Sequence, residues 1–297
     1  MSDVVGHCPV CSSGRIRPKP FGYPYKDRWL GGYECAECGI IFVYPQPSAE
    51  ELLELSSKEY FDGDFRCGHQ GSYFDDRTLA AVVDQSLLDR IGRVKSGGRF
   101  LEIGCAGGAF LDAARKRGYV VRGVEFSRDA AQVARDRFGL EVVTGDVCDA
   151  GFAEGSWDVV FMGDVIEHLT DPVSTLREIR RITSSGGLLV LVCPSQTHTI
   201  FSRLGFALYT ILGMKVSVDL PPYHLFEYRP ASIRNLLRIS GFEVIDVSES
   251  MISPGRVSLR GSAVRRVAKK IIQYPNFLIT GLFGVLGDRL EVLASRP

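Results

Sequence analysis

Four cysteines lie within the first forty residues as two Cys-x-x-Cys pairs, Cys8 with Cys11 in "CPVC" and Cys35 with Cys38 in "CAECG". Each pair can present two sulfurs to one ion, so the two pairs together predict a tetrahedral thiolate site. We expect a structural zinc ion, with rubredoxin-type iron as the alternative because iron uses similar pairs. A four-thiolate site has no open position for chemistry, and we therefore expect it to stabilise a small ribbon over residues 1–45.

Acidic residues and glycines follow three of the predicted strands. The stretch "LEIGCAGG" at 101–108 contains Glu102, Glu125 ends the second strand, and Asp146 follows the third. Glycines between a strand and a helix let backbone amides approach a ligand, and an acid after the second strand suits a ribose diol. Each acid alone could be a turn residue or a helix cap. The three strand ends together indicate a site for an adenosine-type cofactor, with a dinucleotide as the competing interpretation.

Two histidines and an aspartate could take a proton from an acceptor group. A hydroxyl is a poor nucleophile until a base removes its proton, and histidine titrates near neutrality. His168 and His224 are therefore the candidate bases, and Asp164 is a third candidate or a ligand to a hydroxyl. The alternative for His168 is that it only orients its loop, and the alternative for His224 is a substrate contact. His7, His69 and His198 have no comparable placement.

The elements that must position these residues alternate from Arg99 onward. Strand-like runs such as "RFLEI", "YVVRGVEF" and "WDVVFMGD" are separated by helical stretches such as "FLDAARKRG" and "VSTLREIRRI". This alternation implies right-handed crossovers and a parallel sheet with helices on both faces. We predict an α/β fold, a Rossmann-like sheet of seven strands behind the small ribbon, with the ligand site at the carboxyl ends of the strands.

Local signals also predict individual helices. Ser48 and Glu51 form a capping-box pattern, and Asp171 before Pro172 is typical of a helix start. A helix is expected over 75–94 because four apolar residues fall on one face of it, namely Leu79, Val82, Val83 and Leu87.

The same patterns suggest a domain organisation. We expect a zinc ribbon at 1–45, a helical linker and cap at 46–95 and an α/β domain at 96–297. Two insertions interrupt that last domain, a lid at 195–229 and a basic, apolar segment at 251–287.

From Asp75 to Pro297 the chain resembles the class I S-adenosylmethionine-dependent methyltransferases. The resemblance rests on "LEIGCAGG", "GVEFS", "GDV" and, above all, "WDVVFMGDVIEHLTDP" followed by "GGLLVLVCPS". The long block around the fourth strand is similar to ubiquinone-pathway O-methyltransferases. Together with the ribbon, the chain resembles zinc-ribbon-bearing methyltransferases that tailor glycans and natural products.

The resemblance implies S-adenosylmethionine as the cofactor. Glu102, Gly104 and Gly108 would then frame the methionine moiety, Glu125 would hold the ribose hydroxyls, and Asp146 with Val147 would hold the adenine. The full implied set of cofactor-binding residues is Glu102, Gly104, Cys105, Ala106, Gly108, Glu125, Phe126, Asp146, Val147 and Gly163. Ala106 stands where the family has a glycine, and its methyl group narrows the turn.

The stretch "DLPPYHLFEYRP", residues 219–230, contains a Pro-Pro-aromatic sequence like the one that amino-directed methyltransferases use to hold a planar nitrogen. In those enzymes the sequence ends the fourth strand, where this chain has "MGDVIEH". Here it lies beyond the fifth strand, so we interpret the likeness as accidental.

The two insertions carry different expectations. The lid contains the apolar run "FALYTILG" and is expected to close over the pocket and exclude water. The second insertion has no acidic residue and combines a basic amphipathic helix with "FLITGLFGVLG". Residues 256–286 could contact an anionic membrane, and the alternative is a solvated helix or a contact between copies of the chain.

The composition limits the classes of function. The net charge is zero, which weighs against nucleic acid as a partner, and no signal pattern opens the chain, so we expect a cytoplasmic protein. The remaining cysteines are expected to be buried or loop thiols, namely Cys67, Cys105, Cys148 and Cys193. We predict methylation of a hydroxyl on a small molecule or glycan precursor. The alternatives are C- or N-methylation of a sugar or natural product, RNA methylation, and a non-catalytic binding protein.

Overall fold

Two β-sheets organise the part of the chain that the structure describes. The structure is a computed structural model that describes residues 5–55, 74, 79, 83–218, 220–251 and 263–297, with the backbone alone over 263–272. Among the helices in these ranges, none combines the length and apolarity needed to cross a bilayer.

The larger sheet has seven strands, namely β4 (Arg99–Ile103), β5 (Val120–Glu125), β6 (Val142–Thr144), β7 (Trp157–Gly163), β8 (Thr183–Pro194), β11 (Glu243–Ser250) and β12 (Arg289–Ser295). Their order in the sheet is β11-β12-β8-β7-β4-β5-β6. Strands β4 to β8 are parallel, and β12 runs antiparallel between β8 and β11. The predicted α/β fold with seven strands is confirmed.

Helix α2 (Gln85–Val94) precedes the large sheet. Four helices lie between its strands, namely α3 (Ala109–Lys116), α4 (Arg128–Phe138), α5 (Pro172–Ile182) and α7 (Pro230–Ile239). Asp171 caps α5 as predicted, because its side chain accepts a hydrogen bond from the Ser174 amide at 3.0 Å. The predicted continuous helix over 75–94 is interrupted, since Leu79 is helical but Val83 and Asp84 are not. Helix α2 begins at Gln85, since Asp84 has extended backbone and caps the amides of Ser86 and Leu87, and most of 75–82 lies outside the described residues.

The smaller sheet has five strands, namely β1 (Ile16–Tyr25), β2 (Arg28–Cys35), β3 (Ile41–Tyr44), β9 (Val216–Ser217) and β10 (Phe226–Glu227). Their order in the sheet is β10-β3-β2-β1-β9. The first three belong to the ribbon, and the last two belong to the insertion at 195–229. Phe226 pairs with Phe42, and Val216 pairs with Phe21. Ribbon and insertion therefore share one sheet.

A short helix, α1 (Ala49–Leu55), follows the ribbon. The predicted capping box is present, since the Ser48 amide donates to Glu51 Oε2 at 2.8 Å and the Glu51 amide donates to Ser48 Oγ at 3.3 Å. These two bonds satisfy donors that the first turn of a helix otherwise leaves unpaired.

Two further helices, α6 (Ile200–Ile211) and α8 (Ala263–Phe283), come from the two insertions. Helix α6 has no buried residue, and its apolar side chains Leu204, Leu208 and Ile211 are exposed. Within the predicted apolar run, Phe206 stacks on Phe21 of the ribbon with ring centroids 5.6 Å apart, and closure of the run over the pocket stays a prediction. The basic amphipathic helix predicted in the second insertion covers 264–271. The side chains of these residues are not described, so the division into an apolar and a basic face stays a prediction.

Buried apolar residues cover both faces of the large sheet. On one face the core continues into the ribbon, so that Ile40 and Phe42 belong to the same cluster as Leu101 and Leu236. This continuity is consistent with hydrogen bonds between the two parts, such as Asn235 Nδ2 to the Cys38 carbonyl at 3.2 Å. Of the cysteines outside the ribbon, Cys105 and Cys193 are buried, Cys148 is exposed, and Cys67 lies outside the described residues.

Candidate functional site

The glycine turn after β4 lies against the loop that follows β7. Gly104 has φ of 73°, and a Cβ there would lie 2.3 Å from Cγ2 of Val165. Gly108 has φ of 81°, and its Cβ would lie 2.6 Å from Cδ1 of Leu140. Only glycine satisfies both the left-handed backbone and the close contact. The first glycine brings the ends of β4 and β7 together, and the second packs the start of α3 against the residues after α4.

Ala106 occupies the middle of this turn with φ of 45°. A left-handed alanine costs roughly 1–2 kcal/mol relative to ordinary helical backbone. Its amide donates to Glu125 Oε2 at 2.8 Å, and the Ser127 amide donates to the other oxygen at 2.8 Å. The turn thus accommodates the methyl group, and the strained residue is held by the carboxylate that ends β5.

Glu102 lies near the end of β4, just before the turn, and is buried with 5% of its surface exposed. Burial, reinforced by the neighbouring charge of Glu125, raises its pKa well above the usual range of a carboxyl group. Within the described residues its Oε2 has no hydrogen-bond partner. A buried oxygen without a donor is costly, and the ammonium group of a methionine moiety is a donor of the required kind. The turn therefore fits the implied cofactor.

The ends of β5 and β6 form the rest of this edge. Phe126, directly after β5, is 48% exposed, so its ring is open to a planar ligand. Asp146 is exposed, and its Oδ1 accepts a hydrogen bond from the Cys148 amide at 2.8 Å, while Val147 is buried. The structure places the predicted cofactor residues at the carboxyl ends of adjacent strands, and their role in binding remains a prediction.

A second group of polar side chains lies after β7. Glu167, His168 and His224 bring their potential ligand atoms within 4.8 Å of one another. His168 Nδ1 is 2.7 Å from the Tyr223 carbonyl oxygen, and its Nε2 is 3.6 Å from Glu167 Oε1. Because a carbonyl only accepts, Nδ1 carries a proton, and Nε2 is the ring nitrogen that faces the carboxyl group of Glu167.

The two rings of this cluster are in contact, with His168 and His224 centroids 5.1 Å apart. His224 Nδ1 lies 3.8 Å from Glu227 Oε1, close enough for the carboxylate to stabilise an imidazolium. Burial disfavours the charged ring, but Glu227 and Glu167 outweigh that effect and raise the pKa of His224. Burial and the charge of Asp164 raise the pKa of Glu167 to about 7.

Asp164 directly follows β7 and has left-handed backbone with φ of 54°. Its two carboxylate oxygens accept hydrogen bonds from Arg289 Nη2 at 2.8 and 3.0 Å. Arg289 is the first residue of β12. Asp164 is thus engaged by a cation, which makes it a weaker candidate for a base than either histidine.

Residues near the C-terminal end of the insertion at 195–229 attach it to this cluster. The Leu225 amide donates to the Glu167 carbonyl at 2.8 Å, and the buried Tyr228 hydroxyl donates to the Ile166 carbonyl at 3.2 Å. The carbonyl that faces His168 belongs to Tyr223, the aromatic residue of the Pro-Pro-Tyr stretch. This stretch lies beyond the fifth strand of the sheet as predicted, yet it folds back to the end of β7.

Sequence reasoning missed three members of the site, Glu167, Glu227 and Arg289. Glu167 adjoins His168 and could have been named from that position, because neighbouring acids alter histidine basicity. Glu227 follows His224 by three residues and carries the same signal. Arg289 has no local signal, since it reaches Asp164 only through the antiparallel last strand.

The four ribbon cysteines form a separate cluster, as predicted from their spacing. The Sγ atoms of Cys8 and Cys38 are 3.7 Å apart, those of Cys11 and Cys35 are 3.6 Å apart, and all four lie within 4.8 Å. Tetrahedral zinc with bonds of about 2.3 Å holds its sulfurs nearly 4 Å apart. The donor set and spacing fit a zinc ion.

Comparison with known proteins identifies the class. Residues 67–247 match the family described as "Methyltransferase domain", which is more than half of the chain. The chain therefore belongs to this family, and its seven-stranded sheet with the glycine turn makes it a class I S-adenosylmethionine-dependent methyltransferase.

Individual relatives are distant. The chain is 28% identical over 162 residues to a ubiquinone biosynthesis O-methyltransferase of Pseudomonas aeruginosa, covering 51% of this chain and 67% of the relative. It is 25% identical over 169 residues to the enzyme of the same name from Azoarcus, covering 54% and 70%. A solved S-adenosylmethionine-dependent methyltransferase from Archaeoglobus fulgidus superimposes with a TM-score of 0.51 at 20% identity, covering 84% of this chain and all of that one. The structural likeness supports the fold.

Proposed function

We propose that this methyltransferase transfers the methyl group of S-adenosylmethionine to a hydroxyl group of a small molecule or glycan precursor. The observation that carries the proposal is the cluster of Glu167, His168, His224 and Glu227 at the end of β7, beside the glycine turn. Its titratable groups can accept a proton from an acceptor hydroxyl. The O-methyltransferases among the relatives give independent support.

The cofactor, when bound, supplies an electrophilic methyl group on a sulfonium sulfur. We propose that the glycine turn and Glu102 hold its methionine end, Glu125 its ribose, and Asp146 with Val147 its adenine. These groups align the methyl with the acceptor, which is most of what an in-line displacement requires. The acceptor oxygen gains the methyl as the carbon–sulfur bond breaks, and the proton of the hydroxyl must leave to a base.

We assign that base to His224 rather than His168. The Glu227 carboxylate lies behind the ring of His224, and together with Glu167 it stabilises the imidazolium that forms. His168 uses Nδ1 to bind the Tyr223 carbonyl. Its proposed role is therefore to hold the C-terminal end of the insertion against the end of β7. Asp164, paired with Arg289, positions the turn after β7.

Two matched variants separate these roles. His224→Gln should reduce the rate of methyl transfer by about a hundredfold or more with the affinity for S-adenosylhomocysteine unchanged. His168→Gln should reduce the rate less and should loosen residues 220–228 in hydrogen exchange. If His224→Gln retains normal turnover, base catalysis by this residue is wrong.

The acceptor is found by methyl-labelled S-adenosylmethionine added to fractionated extract, followed by mass analysis of the labelled product. Label on the oxygen of a small metabolite or glycan precursor is the expected result. Label on carbon or nitrogen would keep the enzyme class and correct the acceptor atom. Label in RNA would overturn the proposal, as would the absence of any transfer by a protein that binds the cofactor.

We further propose that Cys8, Cys11, Cys35 and Cys38 bind one zinc ion. The support is the spacing of the four sulfurs given above. In the first Cys-x-x-Cys pair, the Val10 amide also donates a hydrogen bond to Cys8 Sγ at 3.4 Å. Metal analysis of the purified chain should find one zinc per molecule and none in a Cys35→Ser, Cys38→Ser variant. One iron per molecule would instead identify a rubredoxin-type site.

A further inference from the structure

The exposed apolar side chains of this protein are concentrated in its two insertions. Seventeen large apolar residues are exposed among those that the structure describes, and twelve of them fall within 201–220 and 274–285. We call these twelve the α6–α8 surface. They are Phe201, Leu204, Leu208, Ile211, Leu212, Met214, Leu220, Tyr274, Leu278, Leu282, Phe283 and Val285.

The apolar residues form a stripe on each helix. Leu204, Leu208 and Ile211 follow one another at helical spacing on α6, and they are 63%, 54% and 81% exposed. On α8 the corresponding residues are Tyr274, Leu278 and Leu282. A soluble helix ordinarily turns such a stripe towards the core, so two outward stripes point to an apolar partner.

The two helices are held together at the base of this surface. They contact each other, and the Ile200 amide at the start of α6 donates to Asn276 Oδ1 at 3.0 Å. Asn276 is buried, and its Nδ2 donates to the Leu286 carbonyl at 2.8 Å. Thr280, one turn later, is also buried. The polar side of α8 therefore faces the protein, and its apolar stripe faces outward.

The charge of these segments indicates the partner. Residues 195–220 and 251–287 together contain eight Lys and Arg residues and a single acidic residue, Asp219, although the whole chain has 35 of each sign. The rest of the chain thus carries the compensating negative charge. A second copy of the chain would bring the same positive segments to the contact, where they repel, whereas an anionic lipid surface attracts both segments.

We propose that the α6–α8 surface binds the face of an anionic lipid bilayer, with its apolar stripes at the headgroup boundary and the net positive charge of the two segments attracting the lipid phosphates. Apolar burial and electrostatic attraction act together in such binding. The helices lie on the membrane and do not span it. The inference does not depend on the acceptor, since it rests on exposed surface outside the predicted catalytic residues.

The test is sedimentation of the full chain with vesicles of phosphatidylcholine alone or with a third of the lipid as phosphatidylglycerol. We expect the protein to pellet with the anionic vesicles at least tenfold more strongly than with the neutral ones, and we expect 0.5 M salt to reduce this binding severalfold. Equal binding to both vesicle types, or binding to neither, would overturn the proposal.

Variants locate the contact. Ile211→Asp with Leu282→Asp should reduce binding to anionic vesicles at least tenfold, because two acids enter the proposed interface. Val120→Asp is the matched control, since Val120 is 68% exposed but lies at the start of β5, and it should bind as the wild type does. Unchanged binding by the double variant would overturn the assignment. So would a wild-type dimer that the same two substitutions convert to a monomer without any effect on vesicles.

Discussion

At the scale of single residues, Glu125 has two functions in the proposed cofactor site. Its carboxylate already accepts hydrogen bonds from the amides of Ala106 and Ser127, and it thereby holds the left-handed turn that follows β4. Any ribose hydroxyl must share the lone pairs that remain. One side chain therefore serves both the shape of the turn and the proposed contact with the cofactor.

Replacing this residue should weaken cofactor binding. In Glu125→Gln the amide group cannot accept from both backbone amides, and we expect affinity for S-adenosylhomocysteine to fall by about 10- to 100-fold, from the loss of one or two charge-assisted hydrogen bonds. Calorimetric titration measures this directly. Glu141→Gln is the control because the Glu141 side chain is 79% exposed. Affinity within a factor of about three of wild type would contradict the assignment.

The pH dependence of the reaction should report on His224. Because the deprotonated ring is the active base, the rate should rise with pH through the pKa of His224, which neighbouring carboxylates raise above its ordinary value. Glu227→Gln removes one of those carboxylates, lowers that pKa and should move the acid limb of the rate profile to lower pH. Glu37→Gln, in the exposed part of the ribbon, should leave the limb in place. An upward shift, or no shift, in Glu227→Gln would show that His224 is not the titrating group.

At the scale of elements, the parallel strands could be predicted because each contains a short apolar run, and four of the five end at, or directly before, a glycine or an acid. Strands β9 and β10 could not, since two residues carry no periodicity and their partners lie in the ribbon, far away in sequence. The same limit applies to the site. Glu102, Glu125 and His168 were found from strand ends, whereas Arg289 was missed because its contact with Asp164 depends on the antiparallel register of β12.

Removing the proposed zinc should affect more than the ribbon. Chelation should increase hydrogen exchange across β1 to β3, because the two Cys-x-x-Cys pairs are then no longer joined through the metal ion. It should also increase exchange at 216–217 and 225–227, whose strands pair with β1 and β3. Strands β4 and β7 should keep their protection. Loss of protection confined to 5–44 would contradict the shared sheet.

At the scale of the whole molecule, the buried Glu167 links stability to pH. Its pKa is raised from 4.5 to about 7 in the folded state, so the unfolded chain releases a proton at lower pH than the folded one. The contribution of Glu167 to the free energy of unfolding is therefore greatest below about pH 4.5 and declines as pH rises towards 7, by up to about 3 kcal/mol. His224, whose pKa is also raised, adds a loss in the same direction above its unfolded value.

This decline should largely disappear in Glu167→Gln, which cannot ionise. Denaturant unfolding gives the free energy of unfolding of both proteins at pH 5 and pH 8. The value for the variant minus the value for wild type should be larger at pH 8 than at pH 5 by about 1–3 kcal/mol. Comparing two pH values for the same pair of proteins cancels any constant effect of the substitution. A difference that stays constant, or moves the other way, would show that Glu167 is ionised throughout.

The five-stranded sheet constrains how new versions of this protein could arise by recombination. Its two outer strands, β9 and β10, come from the segment that follows β8. A ribbon taken from another protein would therefore have to pair with strands that evolved beside a different ribbon. Its new β1 and β3 would have to match Val216 and Phe226 at once. A functional chimera should therefore inherit residues 5–44 and 195–229 from the same parent, and a crossover placed between them should yield poorly folded hybrids.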